Sequence, residues 1–139
     1  MATIENQDVW DLRDLAELAE ECGYEIEDAE NYDAEDVEDS KATLAKLADL
    51  AEDLNQSCDH YDADSVASAL RAASDNSVSP LIAESYFEDY VKQDMVELGY
   101  IPDELPWFIS NNIDWSGVAE DVQSDYTNIS FDGGDWLIR

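Results

Sequence analysis

Carboxylates are the side chains numerous enough to do chemistry in this sequence. The chain holds 36 Asp and Glu residues but one His, two Cys and five Gly. Neighbouring carboxylates raise one another's pKa values, so a pair set apart from the others can act as general acid and base. Such pairs occur in every stretch here, and none is singled out. The sequence therefore predicts a protein that is not an enzyme.

The sequence also lacks the patterns of metal and nucleotide sites. Zinc sites need several Cys or His residues at close spacing, and Cys22, Cys58 and His60 do not supply them. The segment that starts at Asp59 begins like an EF-hand loop but lacks the Gly and the final Glu that calcium geometry requires. There is neither a glycine-rich phosphate loop nor a GxSxG motif. We predict no metal and no cofactor.

The charge of the chain restricts its partners. The 36 acidic residues face six Lys and Arg, which gives a net charge of −30. A net charge of about 2–8 suffices for the solubility of a small domain, and a larger one weakens the compact state by self-repulsion. The sign excludes direct binding to nucleic acid, which needs basic surface, and disfavours anionic membranes. The predicted partner is basic.

The location predicted from the sequence is the cytoplasm. Residues 1–15 carry neither the basic start nor the apolar stretch of a secretory signal. No apolar run approaches the roughly 20 residues of a membrane span.

Three interpretations of the acidic surface compete: adaptation to a salty cytoplasm, a generic acidic interaction domain, and mimicry of DNA. Duplex DNA carries about one charge per 1.7 Å of its axis, so 30 charges match roughly 50 Å of duplex, or about 15 base pairs. A sphere of this chain length would be only about 30–35 Å across. Mimicry therefore requires an elongated molecule with carboxylates along one side.

Helices are predicted to position most of these carboxylates. Asn6 or Asp8 is expected to cap a first helix. Its apolar face repeats at three- and four-residue steps from Val9 to Cys22. Gly23 is expected just after its end, where glycine is favoured.

An acidic segment follows, in which nine of the fifteen residues 25–39 are Asp or Glu. It is predicted as a loop with short helical turns, a loosely held acidic helix or a solvated linker. Ser40 is expected to cap a second helix that ends at Cys58, and Asp62 or Asp64 to start a third.

The remaining elements begin with a fourth helix. Ser79 followed by Pro80 predicts its start, and at 1.5 Å per residue it would run roughly 28 Å to Gly99. Prolines limit residues 100–112 to a short turn or two of helix, and Asp114 is expected to cap a last helix. Three tryptophans are expected to pack in the core or hairpin: Trp107, Trp115 and Trp136.

The predicted fold class is mostly α (α+β), an elongated acidic helical bundle with a small C-terminal β-hairpin. Residues 127–131 and 136–139 are β-like and flank a glycine-containing turn. We predict two domains, residues 1–78 and residues 79–139.

Two acid-rich regions are the candidate phosphate-mimicking surfaces, and the sequence does not decide which one faces the partner. The candidate carboxylates are Asp11, Asp14, Glu17, Glu20, Glu21, Glu25, Glu27, Asp28, Glu30, Asp33, Glu35 and Asp36 in the first region, and Glu84, Glu88, Asp89, Asp94, Glu97, Asp103 and Glu104 in the second.

Residues 87–136 carry a series of landmarks. An acidic helix ends in a Leu-Gly turn, a proline-containing segment and a short helix follow, and an Asn-Ile-Asp-Trp start leads into a last helix before Asp-Tyr-Thr. This stretch resembles the C-terminal part of the ArdA antirestriction proteins of phages and mobile elements. The matching residues are Leu98, Gly99, Pro102, Pro106, Asn112, Ile113, Asp114, Trp115, Ala119, Asp121, Asp125, Tyr126 and Thr127.

The resemblance implies a function. ArdA proteins are elongated acidic DNA mimics, commonly dimeric, that inhibit Type I restriction enzymes by filling their DNA groove. It therefore predicts that this chain occupies the basic DNA-binding channel of a host restriction enzyme, with a homodimer possible. A CRISPR effector complex is the alternative target, because its nucleic-acid channel is also basic.

Overall fold

Helices carry most of the chain in the computed structural model, which describes residue 4 and residues 7–102 and 104–139. The helices are α1 (Leu12–Glu27), α2 (Ala34–Asp53), α3 (Ala63–Asn76), α4 (Phe87–Glu97), α5 (Trp107–Ser110) and α6 (Trp115–Gln123). The strands are β1 (Val9–Trp10), β2 (Leu81–Ala83), β3 (Thr127–Phe131) and β4 (Gly134–Ile138). Single 3₁₀ turns lie at Ala29–Asn31 and Glu84–Tyr86. The predicted mixed, mostly helical class is confirmed.

The first helix differs from the prediction at both ends. Asp11 caps α1, and its side chain accepts the backbone N–H of Arg13 at 2.9 Å. The predicted cap at Asp8 is wrong because the next two residues form β1, and the alternative at Asn6 lies outside the described residues. The helix also continues through Gly23, which packs so closely on α3 that a Cβ atom there would overlap the side chain of Ala63.

The acidic segment that follows is partly helical. A 3₁₀ turn leads to Asp33, and α2 starts directly after it. The predicted cap at Ser40 is therefore wrong, since this residue lies buried within the helix. The predicted end at Cys58 is also wrong, because α2 stops at Asp53. Asp62 caps α3 as predicted and accepts the N–H of Asp64 at 3.1 Å.

The predicted fourth helix is wrong over about its first third. The buried strand β2 and a 3₁₀ turn occupy that stretch, so α4 has 11 residues and is roughly 16 Å long. Tertiary contacts explain the difference. Leu81 and Ile82 enter cores on opposite faces of the sheet, and the hydroxyl of Ser79 accepts the N–H of Arg139 at 2.9 Å.

The C-terminal elements agree with the prediction. Asp114 caps α6 and accepts the N–H of Gly117 at 3.0 Å. Strands β3 and β4 form the predicted hairpin, with Phe131 opposite Gly134. Asp132 and Gly133 both have positive φ, 49° and 76°, as a two-residue turn of type I′ requires.

The antiparallel sheet, in the order β1-β2-β4-β3, separates two apolar cores. One core joins α1, α2 and α3 to one face of the sheet through Leu81, Phe131 and Ile138. The other joins α4 and α6 to the opposite face through Ile82 and Leu137. The first core draws on residues from both sides of the predicted domain boundary at 78/79. The division of the chain into two domains and its elongated shape remain predictions. Within the described residues, no helix combines the length and the apolar character needed to cross a bilayer.

Candidate acidic interface

Helix α1 presents an ordered row of exposed carboxylates. Asp14, Glu17 and Glu21 follow one another at three- and four-residue steps and are all exposed. At 1.5 Å per residue the row covers roughly 10 Å, with neighbours about 4.5–6 Å apart along the axis. The opposite face of α1 enters the core through Leu15, Ala16 and Ala19, among others, so packing fixes the direction in which the row faces.

The structure places most of the predicted carboxylates on the surface. Exposed are Asp11, Asp14, Glu17, Glu20, Glu21, Glu27, Glu30, Asp33, Glu35, Glu84, Glu88, Asp89, Glu97 and Glu104. Half-buried are Asp28, Asp36 and Asp94. Asp103 lies outside the described residues.

Glu25 is the exception, and its prediction as a surface carboxylate is wrong. It is buried, with 7% of its surface exposed, and accepts a hydrogen bond from the hydroxyl of Ser40 on α2. The sequence held a signal for this. Glu25 lies three residues after Cys22, on the inward face of the same helix.

All six basic side chains are engaged within the chain. Four form ion pairs with carboxylates: Arg13 with Asp75 at 3.4 Å, Lys41 with Glu38 at 3.7 Å, Lys46 with Asp132 at 2.6 Å and Arg71 with Glu20 at 2.8 Å. The other two lie over aromatic rings, Lys92 over Trp115 and Arg139 over Tyr126. In the part of the chain that the structure describes, these four ion pairs leave most of the exposed carboxylates without a Lys or Arg partner.

The second acid-rich region borders an open cleft. Glu84 lines this cleft together with Asp8, Asp132 and Asp135, which come from the start of β1 and from the hairpin. The cleft has a volume of about 810 Å³. Asp8, Asp132 and Asp135 were not among the predicted site residues, because only the pairing of β1, β2 and β4 brings them beside Glu84.

The two thiols are held neutral. Burial, and then the charges of Glu25 and Glu21, raise the pKa of Cys22 to about 12. Burial also raises the pKa of Cys58, and Glu52 adds to the effect. A reactive cysteine needs a lowered pKa, so neither thiol has the surroundings of a nucleophile.

One group of side chains brings possible metal ligands together. Ligand atoms of Asp49, Glu52 and His60 lie within 4.8 Å of one another. His60 Nε2 is 2.9 Å from Glu52 Oε1 and 3.7 Å from Asp49 Oδ1. These contacts form an ion pair when the imidazole is protonated, and they need no metal to account for them. The absence of a metal stays a prediction.

Residues 98–102 and 104–109 carry a group of exposed apolar side chains that the sequence did not predict. Trp107 was expected in the core but is 74% exposed. Its ring meets that of Phe108 edge to face, with centroids 5.8 Å apart. Trp115 and Trp136, which were also expected to pack in the core or hairpin, are less exposed than Trp107, since both are half-buried.

Comparisons of the chain with protein-family models, with curated proteins and with solved structures find no match.

Proposed function

We propose that this chain is an anti-defence protein of a phage or mobile element that mimics duplex DNA. In this proposal it inhibits a host Type I restriction enzyme by occupying the basic groove that binds DNA. The resemblance of residues 87–136 to ArdA proteins supports the same target.

The observation that carries the proposal is the uncompensated row of carboxylates on α1. Asp14, Glu17 and Glu21 are exposed at regular steps, while the basic residues of the chain are held in internal contacts. A row of fixed negative charges is what a DNA-binding groove recognises through its contacts to phosphates. The surface carries no base edges, so it reproduces the sequence-independent part of DNA binding.

Inhibition of restriction in cells tests the proposal. The protein is expressed in a host with an active Type I system, and the plating efficiency of unmodified phage is measured. We expect plating to rise towards the level of a host without the system. A parallel host that carries a CRISPR effector tests the alternative target. No relief in either host would contradict the proposal.

A matched pair of variants tests the role of the α1 row. The triple variant Asp14→Asn, Glu17→Gln and Glu21→Gln should relieve restriction less than the unchanged protein. The control variant Asp49→Asn, Glu52→Gln and Asp53→Asn removes the same net charge from exposed positions outside the candidate set. Equal losses from both variants would show that only net charge matters.

A further inference from the structure

Exposed apolar side chains are concentrated in one short segment. Eight large apolar side chains are conspicuously exposed in the described part of the chain, and five of them lie within residues 98–109. They are Leu98, Tyr100, Trp107, Phe108 and Ile109, with exposed fractions from 43% to 75%. Single exposed apolar residues are ordinary, whereas a cluster indicates a surface that another molecule covers.

A cleft of about 450 Å³ accompanies this segment. Val96 of α4, Ile101 and Leu105 of the following loop and Trp115 of α6 line it. The segment and cleft together, which we call the apolar anchor, combine exposed aromatic rings with a cleft that is partly apolar and is also lined by Lys92 and Glu104. Tryptophan is among the side chains that contribute most to the binding energy of many protein interfaces.

The charges around the apolar anchor indicate its partner. Glu97 and Glu104 are exposed beside it, and the Lys92 ammonium that lines the cleft lies 5.2 Å from the centroid of the Trp115 ring. A second copy of the chain would bring the same carboxylates to the contact, and the one cation it would bring there, Lys92, already lies over its own Trp115 ring. A partner with basic residues around an apolar pocket complements both features.

We propose that the apolar anchor docks on the target enzyme next to its basic DNA-binding groove. This inference rests on the proposed function and extends it, because DNA presents no comparable aromatic cluster to the enzyme. Carboxylates then supply the contacts that any DNA would make, and the anchor supplies a contact specific to the protein.

Binding of the purified Type I enzyme tests the anchor. Affinity is measured for the unchanged protein, for the double variant Trp107→Ser and Phe108→Ser, and for the control variant Tyr61→Ser. Tyr61 is 95% exposed and lies in the connection between α2 and α3. We expect the double variant to bind at least about tenfold more weakly, with an unchanged dependence on salt. The control should stay within about twofold.

Oxidative footprinting of the complex gives a second readout. Trp107 and Tyr100 should be protected from oxidation by the bound enzyme, whereas Tyr61 should remain reactive. Circular dichroism checks that the double variant is folded, which is expected because both replaced side chains are exposed. Equal affinity of the double variant, or oxidation of Trp107 unchanged in the complex, would overturn the inference.

Two further outcomes separate this inference from the proposed function. If the unchanged protein does not bind the enzyme or a CRISPR effector complex, the proposed function fails and the inference fails with it. If it binds and displaces DNA equally well without the aromatic pair, only the inference fails. Light scattering at about 0.15 M salt should give the same oligomeric state for the unchanged protein and for the double variant. A dimer that the double variant loses would assign the anchor to a second copy and overturn the inference.

Discussion

Ser40, in the middle of α2, donates a hydrogen bond from its hydroxyl to the buried carboxylate of Glu25 on α1. The contact joins the two helices that carry the first acid-rich region. It also withdraws one carboxylate from the surface, while Tyr24, one residue before it, and Glu27, two residues after it, stay exposed. A polar contact in the core therefore accounts for the absence of Glu25 from the acidic surface.

Removal of the Ser40 hydroxyl should destabilise the protein. The variant Ser40→Ala deprives a buried carboxylate of this donor, which costs about 1–3 kcal/mol, offset slightly by the better helix propensity of alanine. Urea denaturation measures the free energy of unfolding. The control Ser68→Ala changes an exposed position on α3 and should be neutral or slightly stabilising. Equal stability of the two variants would show that the contact contributes nothing.

Gly23 should not tolerate a side chain, although it lies inside a helix. Gly23→Ala gains up to about 1 kcal/mol of helix propensity, but its methyl group would overlap the side chain of Ala63. Overpacking of this kind costs about 1–3 kcal/mol, so we expect net destabilisation in thermal unfolding. Adding Ala63→Gly should recover part of the loss. Stabilisation by Gly23→Ala alone would contradict the close packing of α1 on α3.

The buried thiol of Cys22 should make the protein less stable at alkaline pH. Its pKa is about 12 in the folded chain against an ordinary 9.0, so the folded state keeps the proton over a range in which the unfolded state loses it. The contribution is complete below about pH 9 and declines as the pH rises towards 12, by at most about 1.4 kcal/mol per pH unit.

Urea denaturation between about pH 8 and pH 11 measures this decline. The variant Cys22→Ala should lose stability at every pH because it leaves a cavity, but its stability should fall less steeply with pH. The tyrosines Tyr90 and Tyr126, whose pKa values burial also raises, affect both proteins equally. Parallel pH profiles would contradict the neutral, buried state of Cys22.

Stability at ordinary salt separates mimicry from adaptation to a salty cytoplasm. Two apolar cores hold the sheet on both faces, and at about 0.15 M salt charges are screened over roughly 8 Å. We expect circular dichroism to show the same helical signal at ordinary and at molar salt. Cooperative unfolding below about 1 M salt would favour salt adaptation instead.

Local signals made part of this fold predictable. Asp62 and Asp114 cap helices as their sequence contexts indicate, and the turn at Asp132 and Gly133 closes the predicted hairpin. The pairing of β1 with β2 was not predictable, because the start of β2 depends on contacts with residues far away in sequence. Ser79 resembles a helix cap in its local context, yet its hydroxyl oxygen accepts a hydrogen bond from the backbone N–H of Arg139.

The candidate site was predictable to a similar degree. Helical periodicity correctly placed Asp14, Glu17 and Glu21 on the surface, because the facing positions are apolar. It could not show that Trp107 is exposed, since an aromatic residue in a short proline-bounded segment fits a core equally well.

Competition with DNA tests the central claim most directly. Fluorescence anisotropy measures the affinity of the target enzyme for a labelled duplex at increasing concentrations of the protein, repeated between about 0.05 and 0.3 M salt. If the carboxylates replace phosphates, the apparent Kd for the duplex should rise in proportion to the protein concentration without reaching a ceiling. The protein's own affinity should fall steeply as salt increases. A plateau in the apparent Kd, a complex that holds protein and duplex together, or an affinity that is flat with salt would contradict DNA mimicry.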